Sequence, residues 1–192
     1  RYMAAGRWTA LWERNLALLD TVRSACLLSS ELRPIDRLWL SVHTYATALI
    51  ETALRYLENL GGDREVWAQR HNGIVSQHDL QRHSWRMHRY GNPVLLDWKE
   101  TVLDIRVRDL AQMTHLAYAD KKIYRARVWR LLTGYDSVHP LSEEEWMMLY
   151  ARMLFPEPLV KTARDVYETQ TVPPDEAQAV LQRAIATQQR QE

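Results

Sequence analysis

The chain predicts a mainly α-helical domain with one small β-hairpin, and three observations predict it. Apolar residues recur at helical spacing over two long early segments and several later ones. Two short apolar runs flank Tyr90-Gly91-Asn92-Pro93, a turn signal between strands. Gly and Pro fall mostly between the periodic segments, where they act as breakers.

The elements follow in order. From Trp8 to about Leu28, Trp8, Leu11, Trp12, Leu16, Leu19 and Val22 form a helical stripe. Pro34 opens a second helix, in which Leu38, Val42, Tyr45, Leu49, Ala53, Tyr56 and Leu57 keep one face apolar. It runs to Gly61-Gly62, which reads as its C-cap. Residues 63–73 are polar and end in the turn signal Asn72-Gly73. Ile74-Val75 reads as a very short strand entering a loop that carries Asp79. Trp85–Arg89 and Val94–Trp98 are the arms of the hairpin. A helix follows from about Ile105 to Asp120, with Val107, Leu110, Ala111, Leu116 and Ala117 apolar, and continues through 121–133 to stop at Gly134.

Ser142 with Glu145 is a capping-box pattern that opens a helix ending near Phe155-Pro156. A further helix covers about Val160 to Glu168. Pro173-Pro174 then breaks the chain, and Asp175 can cap a last helix that ends in a polar tail. Residues 1–170 are thus expected to form one lobe, and 171–192 a Pro-Pro linker with a C-terminal helix and tail.

Composition narrows the function classes. At 192 residues the chain is one domain or one lobe of a larger one, large enough to bury roughly 70% of its unfolded surface. Twenty-five basic residues against 24 acidic ones leave a net charge of +1, which argues against a nucleic-acid-binding protein or a polybasic membrane anchor. Cys26 is the single cysteine, so no intrachain disulfide can form, and its place in an apolar helix reads as a buried structural thiol. No apolar run approaches the roughly 20 residues that span a bilayer. Arg1-Tyr2-Met3 is not a secretory signal; the missing initial Met leads us to expect the C-terminal part of a longer product.

Asp79, Asp97 and Asp109 stand 18 and 12 positions apart. Between the first two lie a short apolar strand, a turn and a second apolar strand. That order matches the catalytic half of a kinase-like phosphotransferase: catalytic loop, hairpin, metal carboxylate, then a helix that braces the loop. Phosphoryl transfer asks the protein mainly for position and charge. One carboxylate must orient the attacking hydroxyl and accept its proton, a role that suits Asp79 on its loop. A second must hold Mg²⁺ against nucleotide phosphates, since a hard cation takes oxygen ligands; Asp97 at the end of a hairpin strand suits it. Asp109, at the start of a helix, would accept the loop's backbone N–H groups. A lone Asp in a loop is ordinarily a turn or cap residue. The joint spacing around a hairpin is what points to chemistry.

Gln77-His78-Asp79-Leu80, Leu95-Leu96-Asp97-Trp98 and Asp109-Leu110-Ala111 resemble the C-terminal lobe of the aminoglycoside phosphotransferase and choline kinase-like superfamily. There the loop reads His-x-Asp-[Leu/Phe]-x-x-x-Asn, and the later motifs read Ile-Asp-Trp and Asp-Leu-Ala. More closely, the chain resembles the spore-coat-associated kinase-like proteins of the CotS and YutH type. Gly6-Arg7-Trp8-Thr9-Ala10-Leu11-Trp12-Glu13, Leu49-Ile50-Glu51-Thr52-Ala53-Leu54-Arg55-Tyr56 and Leu149-Tyr150-Ala151-Arg152-Met153-Leu154-Phe155-Pro156 carry that match, over roughly residues 6 to 168.

The resemblance implies the helical C-terminal lobe of the protein-kinase-like fold, a spore-coat location and coat proteins as partners. It implies Mg²⁺ and ATP as cofactors only for an active enzyme. Two departures stand out: Gln77 replaces the loop His, and Ser84 replaces the Mg²⁺-binding Asn five residues after Asp79. A serine hydroxyl is a shorter and poorer metal ligand than an amide carbonyl. The lobe that supplies the phosphate-covering loop and the phosphate-binding Lys has no counterpart in these residues. Two functions follow. One is a non-catalytic coat protein acting through protein interactions. The other is a small-molecule kinase of the aminoglycoside, choline or homoserine type, with Asp79 as base and Asp97 as Mg²⁺ ligand.

Other constellations read as structural. His71, His78, His83 and His88 are spaced by 7, 5 and 5 residues, which fits no zinc pattern. Arg125-Ala126-Arg127-Val128-Trp129-Arg130, with Lys121 and Lys122, reads as a solvated helix face. Trp146, Met147, Met148, Leu149, Met153 and Leu154 read as core.

Overall fold

In the computed structural model the described residues are 2–73, 75–77, 80, 84–96, 101–118 and 124–190. They are mainly helical, with short strands, as the periodicity predicts. Contacts divide the chain into two compact units, Arg1–Trp8 with Glu58–Arg152, and Thr9–Leu57 with Met153–Glu192. Among the described residues no helix is long and apolar enough to cross a membrane.

The first unit is built on two small sheets. Strand β1 (Tyr2–Met3) pairs in parallel with β5 (Thr101–Leu103), and β5 pairs antiparallel with β2 (Val75–Gln77). The register sets Ser76 opposite Val102 and Gln77 opposite Thr101. Strands β3 (Trp85–Met87) and β4 (Pro93–Leu95) form the expected hairpin, with Trp85 opposite Leu95. Its turn is closed by the Gly91 N–H donating to the His88 carbonyl at 2.8 Å, and Gly91 takes a φ of 82° that suits glycine.

Sequence periodicity missed β1 and β5, which span only two and three residues. Strands that short leave no period to read, and their pairing is set by distant partners. The polar stretch after Gly62 is helical: α3 (Gly62–Ala68) and a 3₁₀ turn (Gln69–Asn72) occupy it, with Val66 turned inward and fully buried.

Helix α4 (Val107–Tyr118) buries Val107, Leu110, Ala111 and Thr114. Helix α5 (Tyr124–Val138) packs on α4 and runs straight through Gly134, where a stop was expected. One helical Gly costs about 1 kcal/mol, and the break comes instead at His139-Pro140. The α5 residues Arg125, Arg127, Trp129 and Arg130 are exposed, while Lys121 and Lys122 lie outside the described residues. Helix α6 (Glu143–Leu154) opens on the predicted capping box. The Glu145 N–H donates to Ser142 Oγ at 3.2 Å, and the Ser142 N–H donates to Glu145 Oε2 at 3.0 Å. Met148 and Leu149 are buried, whereas Trp146 stays 36% exposed, so the apolar run there is only partly core.

The second unit holds most of α1 (Trp8–Leu28) and α2 (Pro34–Asn59), then α7 (Glu157–Ala163), a π-helical turn (Arg164–Glu168) and α8 (Pro174–Gln188). The π-helical turn continues α7 and closes the helix expected to Glu168. In α2 the buried stripe is Ile35, Asp36, Trp39, His43, Ala46, Ile50, Ala53, Leu54 and Leu57. The expected stripe shares only Ala53 and Leu57 with it, because two buried positions are polar and hid the true face. Asp36 is satisfied by the Arg33 guanidinium and by the Tyr167 hydroxyl at 3.0 Å, and His43 by Asp20 at 3.0 Å. The hydrogen bonds from Arg33 hold the Asp36 carboxyl below its ordinary range. Helix α8 starts at Pro174 with Pro173 as the residue before it, and no side chain caps it. Asp175 therefore sits inside the first turn, where a carboxylate still suits the helix dipole. Cys26 is buried as expected, and burial pushes its thiol pKa up.

Candidate functional site

The candidate site lies where β2 ends, where the hairpin begins and ends, and where α4 starts, all in the first unit. Asp79 and Asp97, the expected base and metal carboxylate, lie outside the described residues. Leu80, which follows Asp79, and Leu96, which precedes Asp97, are described. The Gln77 carboxamide Nε2 donates to the Leu96 carbonyl at 3.4 Å, and the Leu96 N–H donates to the Ser84 carbonyl at 2.7 Å. Gln77, Ser84 and Leu96 thus join the segment before Asp79, the residue opening the hairpin and the residue before Asp97. Gln77 and Ser84 are buried, at 4% and 3% exposure.

Asp109 sits in the first turn of α4 and accepts the Gln77 N–H at 3.3 Å on Oδ1. Burial pushes its carboxyl pKa up from 3.8 to about 6, and nearby Asp104 adds to that rise. The Gln77 N–H, the Arg108 charge and the Ser76 hydroxyl pull the other way. One turn further on, Gln112 accepts the Leu80 N–H at 2.7 Å and donates from Nε2 to the Gln77 carbonyl at 3.1 Å. Sequence reasoning missed Gln112. Its signal is a carboxamide three residues after Asp109, which an α-helix places on the same face.

Behind this clamp lies a second set of buried charges. Asp104, fully buried, accepts the Trp8 indole N–H at 2.9 and 3.1 Å, its neighbour Ile105 N–H at 2.9 Å and Arg108 at 3.2 Å. Arg106 donates to both oxygens of the fully buried Glu145, at 2.7 and 2.5 Å, and to the Pro140 carbonyl at 2.8 Å. Burial raises the Glu145 pKa, but Arg106 and the Ser142 N–H outweigh it and hold the carboxyl below its ordinary value. These groups orient the start of α4 and the sheet beneath the site.

Of the four histidines, His78 and His83 lie outside the described residues. His71 is exposed, with Nδ1 at 2.8 Å from the Ala68 carbonyl, and His88 is exposed beside Tyr90.

The family described as Spore coat putative kinase YutH matches residues 1–192. The endospore coat-associated protein YutH of Bacillus subtilis strain 168 is 27% identical over 152 residues, covering 79% of this chain and 43% of that protein. Among solved structures, an aminoglycoside phosphotransferase from Alicyclobacillus acidocaldarius superposes with a TM-score of 0.76 at 15% identity. That match covers 97% of this chain and 57% of the phosphotransferase. The fold is therefore that of the helical lobe of kinase-like phosphotransferases, and the chain spans roughly half the length of the relatives it matches.

Proposed function

The chain belongs to the YutH family of spore-coat kinase-like proteins, and on that premise we propose that it serves the spore coat through protein interactions, without phosphoryl transfer. The observation that carries this reading is Ser84. It stands where the superfamily loop has its metal-binding Asn, and it is 3% exposed at the foot of the hairpin. A buried hydroxyl is short of the reach that a carboxamide would give, so the donor set for Mg²⁺ falls to the Asp97 carboxylate and a weak oxygen. Gln77, in place of the loop His, is spent on the Leu96 carbonyl.

A second reading rests on the clamp geometry. The Gln77–Leu96 and Asp109–Gln77 hydrogen bonds tie together the flanks of both expected carboxylates. That arrangement supports an ATP-dependent phosphotransferase acting on a small-molecule hydroxyl, with Asp79 as base and Asp97 holding Mg²⁺. When bound, Mg²⁺ would neutralise charge on the nucleotide phosphates.

A thermal-melt titration with Mg²⁺–ATP separates the two, run on this chain and on the longest product of its gene, with Asp97→Asn as control. Ligand binding to the folded state alone adds about 2.7 kcal/mol at a hundredfold excess over Kd. The scaffold reading expects no Mg²⁺-dependent shift in either form. A shift that Asp97→Asn abolishes would overturn it in favour of the enzyme.

A further inference from the structure

We propose that Gln112 is a positioning residue for the Gln77 and Leu80 backbone beyond β2. Its carboxamide bridges the Gln77 carbonyl and the Leu80 N–H, and so fixes the separation of those two backbone groups. The bridge is short on both sides, at 2.7 Å to the Leu80 N–H and 3.1 Å to the Gln77 carbonyl. Both bridged residues are buried, with Leu80 at 3% and Gln77 at 4% exposure. Buried backbone groups must find partners, and Leu80 lies beyond the β2–β5 ladder that ends at Gln77.

The chemistry of the bridge is selective. It needs one acceptor and one donor on the same short plane. A carboxamide offers both, a carboxylate offers acceptors only and an ammonium offers donors only. The orientation of the Gln112 amide is set by these two partners, since only one of its two flips satisfies an N–H and a C=O together.

The bridge is also separate from the Asp109 contact. Asp109 takes the N–H of Gln77 and Gln112 donates to its carbonyl, from positions one helical turn apart. Gln77 then carries the restraint onward through its own carboxamide to the Leu96 carbonyl. Helix α4 thus holds both sides of one peptide residue, and a neutral amide keeps half of that hold at any pH. The inference concerns how the segment is held and stands whether or not the chain binds nucleotide.

Amide hydrogen exchange on the full chain, resolved by NMR, tests it with two variants. Gln112→Met keeps the volume and removes both hydrogen-bonding atoms. It should speed exchange at the Leu80 amide by about tenfold or more, the loss of roughly one hydrogen bond. The Gln77 amide, bound to Asp109, should stay within about twofold of wild type. Gln112→Glu keeps the acceptor and should restore slow exchange at Leu80 near neutral pH, a rescue that packing alone would not produce. If Gln112→Met does not fold, Gln112→Lys, which donates but cannot accept, replaces it with the same expected loss at Leu80. Unchanged Leu80 exchange in the Met or Lys variant, or exchange in the Glu variant as fast as theirs, would overturn the proposal.

Discussion

The indole N–H of Trp8 reaches both carboxylate oxygens of Asp104, at 2.9 and 3.1 Å across 96 residues of sequence. Asp104 is fully buried, and its other partners are Arg108 and the Ile105 N–H. A buried carboxylate that keeps some partners and loses one leaves a desolvation penalty of about 1–3 kcal/mol. Trp8→Phe, which keeps the ring and deletes the donor, should destabilise the chain by that amount. Asp104→Ala takes this buried acceptor from the largely buried Arg108 as well and should cost about 3–5 kcal/mol. Urea unfolding of the two variants checks both values, and equal midpoints for wild type and Trp8→Phe would remove the indole from the network.

Trp12 and Phe155 stack with ring centroids 5.0 Å apart and planes 20° from parallel, each 1% exposed. Phe155→Ala opens a cavity among rings that cannot collapse onto it, so a loss of about 3–5 kcal/mol is expected. Phe155→Leu keeps most of the volume and should cost no more than about 1.5 kcal/mol. A denaturant series giving the two variants the same midpoint would show that refilling the volume recovers nothing and that the cavity argument is wrong.

Cys26 lies against Tyr167 and Asp36 in the second unit, and burial raises both its pKa and that of Tyr167. A thiol held protonated and out of water is a poor nucleophile. Labelling with a neutral thiol reagent at pH 8 should run at least about tenfold slower on the folded chain than in denaturant. Comparable rates in both conditions would mean that this corner of the unit opens readily.

What the sequence makes legible follows from how local each signal is. Trp8 to Leu28 reads correctly because 21 residues of period suffice, and the capping box at Ser142 and Glu145 reads correctly because it is complete within four residues. The stretches that carry the family likeness have physical reasons of their own. Gly6 takes a φ of 72°, and an added Cβ would come within 3.4 Å of Trp67. The Arg152 guanidinium sits 5.4 Å above the Trp8 ring, and Phe155 stacks on Trp12. The buried stripe of α2 stayed hidden because Asp36 and His43 look like surface residues until Arg33, Tyr167 and Asp20 are seen beside them. Strand β5 and the Gln112 bridge stayed hidden for another reason: each depends on partners about 30 residues away, and no window of local sequence contains both halves.

Asp109 and Glu145 should give the chain opposite pH responses on the two sides of about pH 4.5. Burial raises the folded pKa of Asp109 from 3.8 to about 6, so between those values the folded state holds the proton more tightly than the unfolded state does. Stability therefore falls as pH rises from about 4 to about 6 and is flat above, by about 2 kcal/mol once the partial exposure of Asp109 is allowed for. Glu145 has its folded pKa lowered from 4.5, so its contribution is complete above that value and is lost as pH falls below it. Asp109→Asn keeps an acceptor for the Gln77 N–H and cannot ionise, so it should gain on wild type steadily from pH 4 to pH 6. Asp109→Ala has no acceptor and should lose about 1–3 kcal/mol near pH 4, where the wild-type carboxyl is neutral, with the Gln77 amide exchanging faster. Glu145→Gln should lose about 3 kcal/mol at pH 7, because it leaves Arg106 without its counter-charge, and the difference should shrink below pH 4.5. Asp97→Asn should leave the curve nearly unchanged. Thermal melts of the four variants from pH 3 to pH 8 decide the matter. If Asp109→Asn ran parallel to wild type across pH 4 to 6, burial would not raise the carboxyl on α4, and the pH response assigned to it would be wrong.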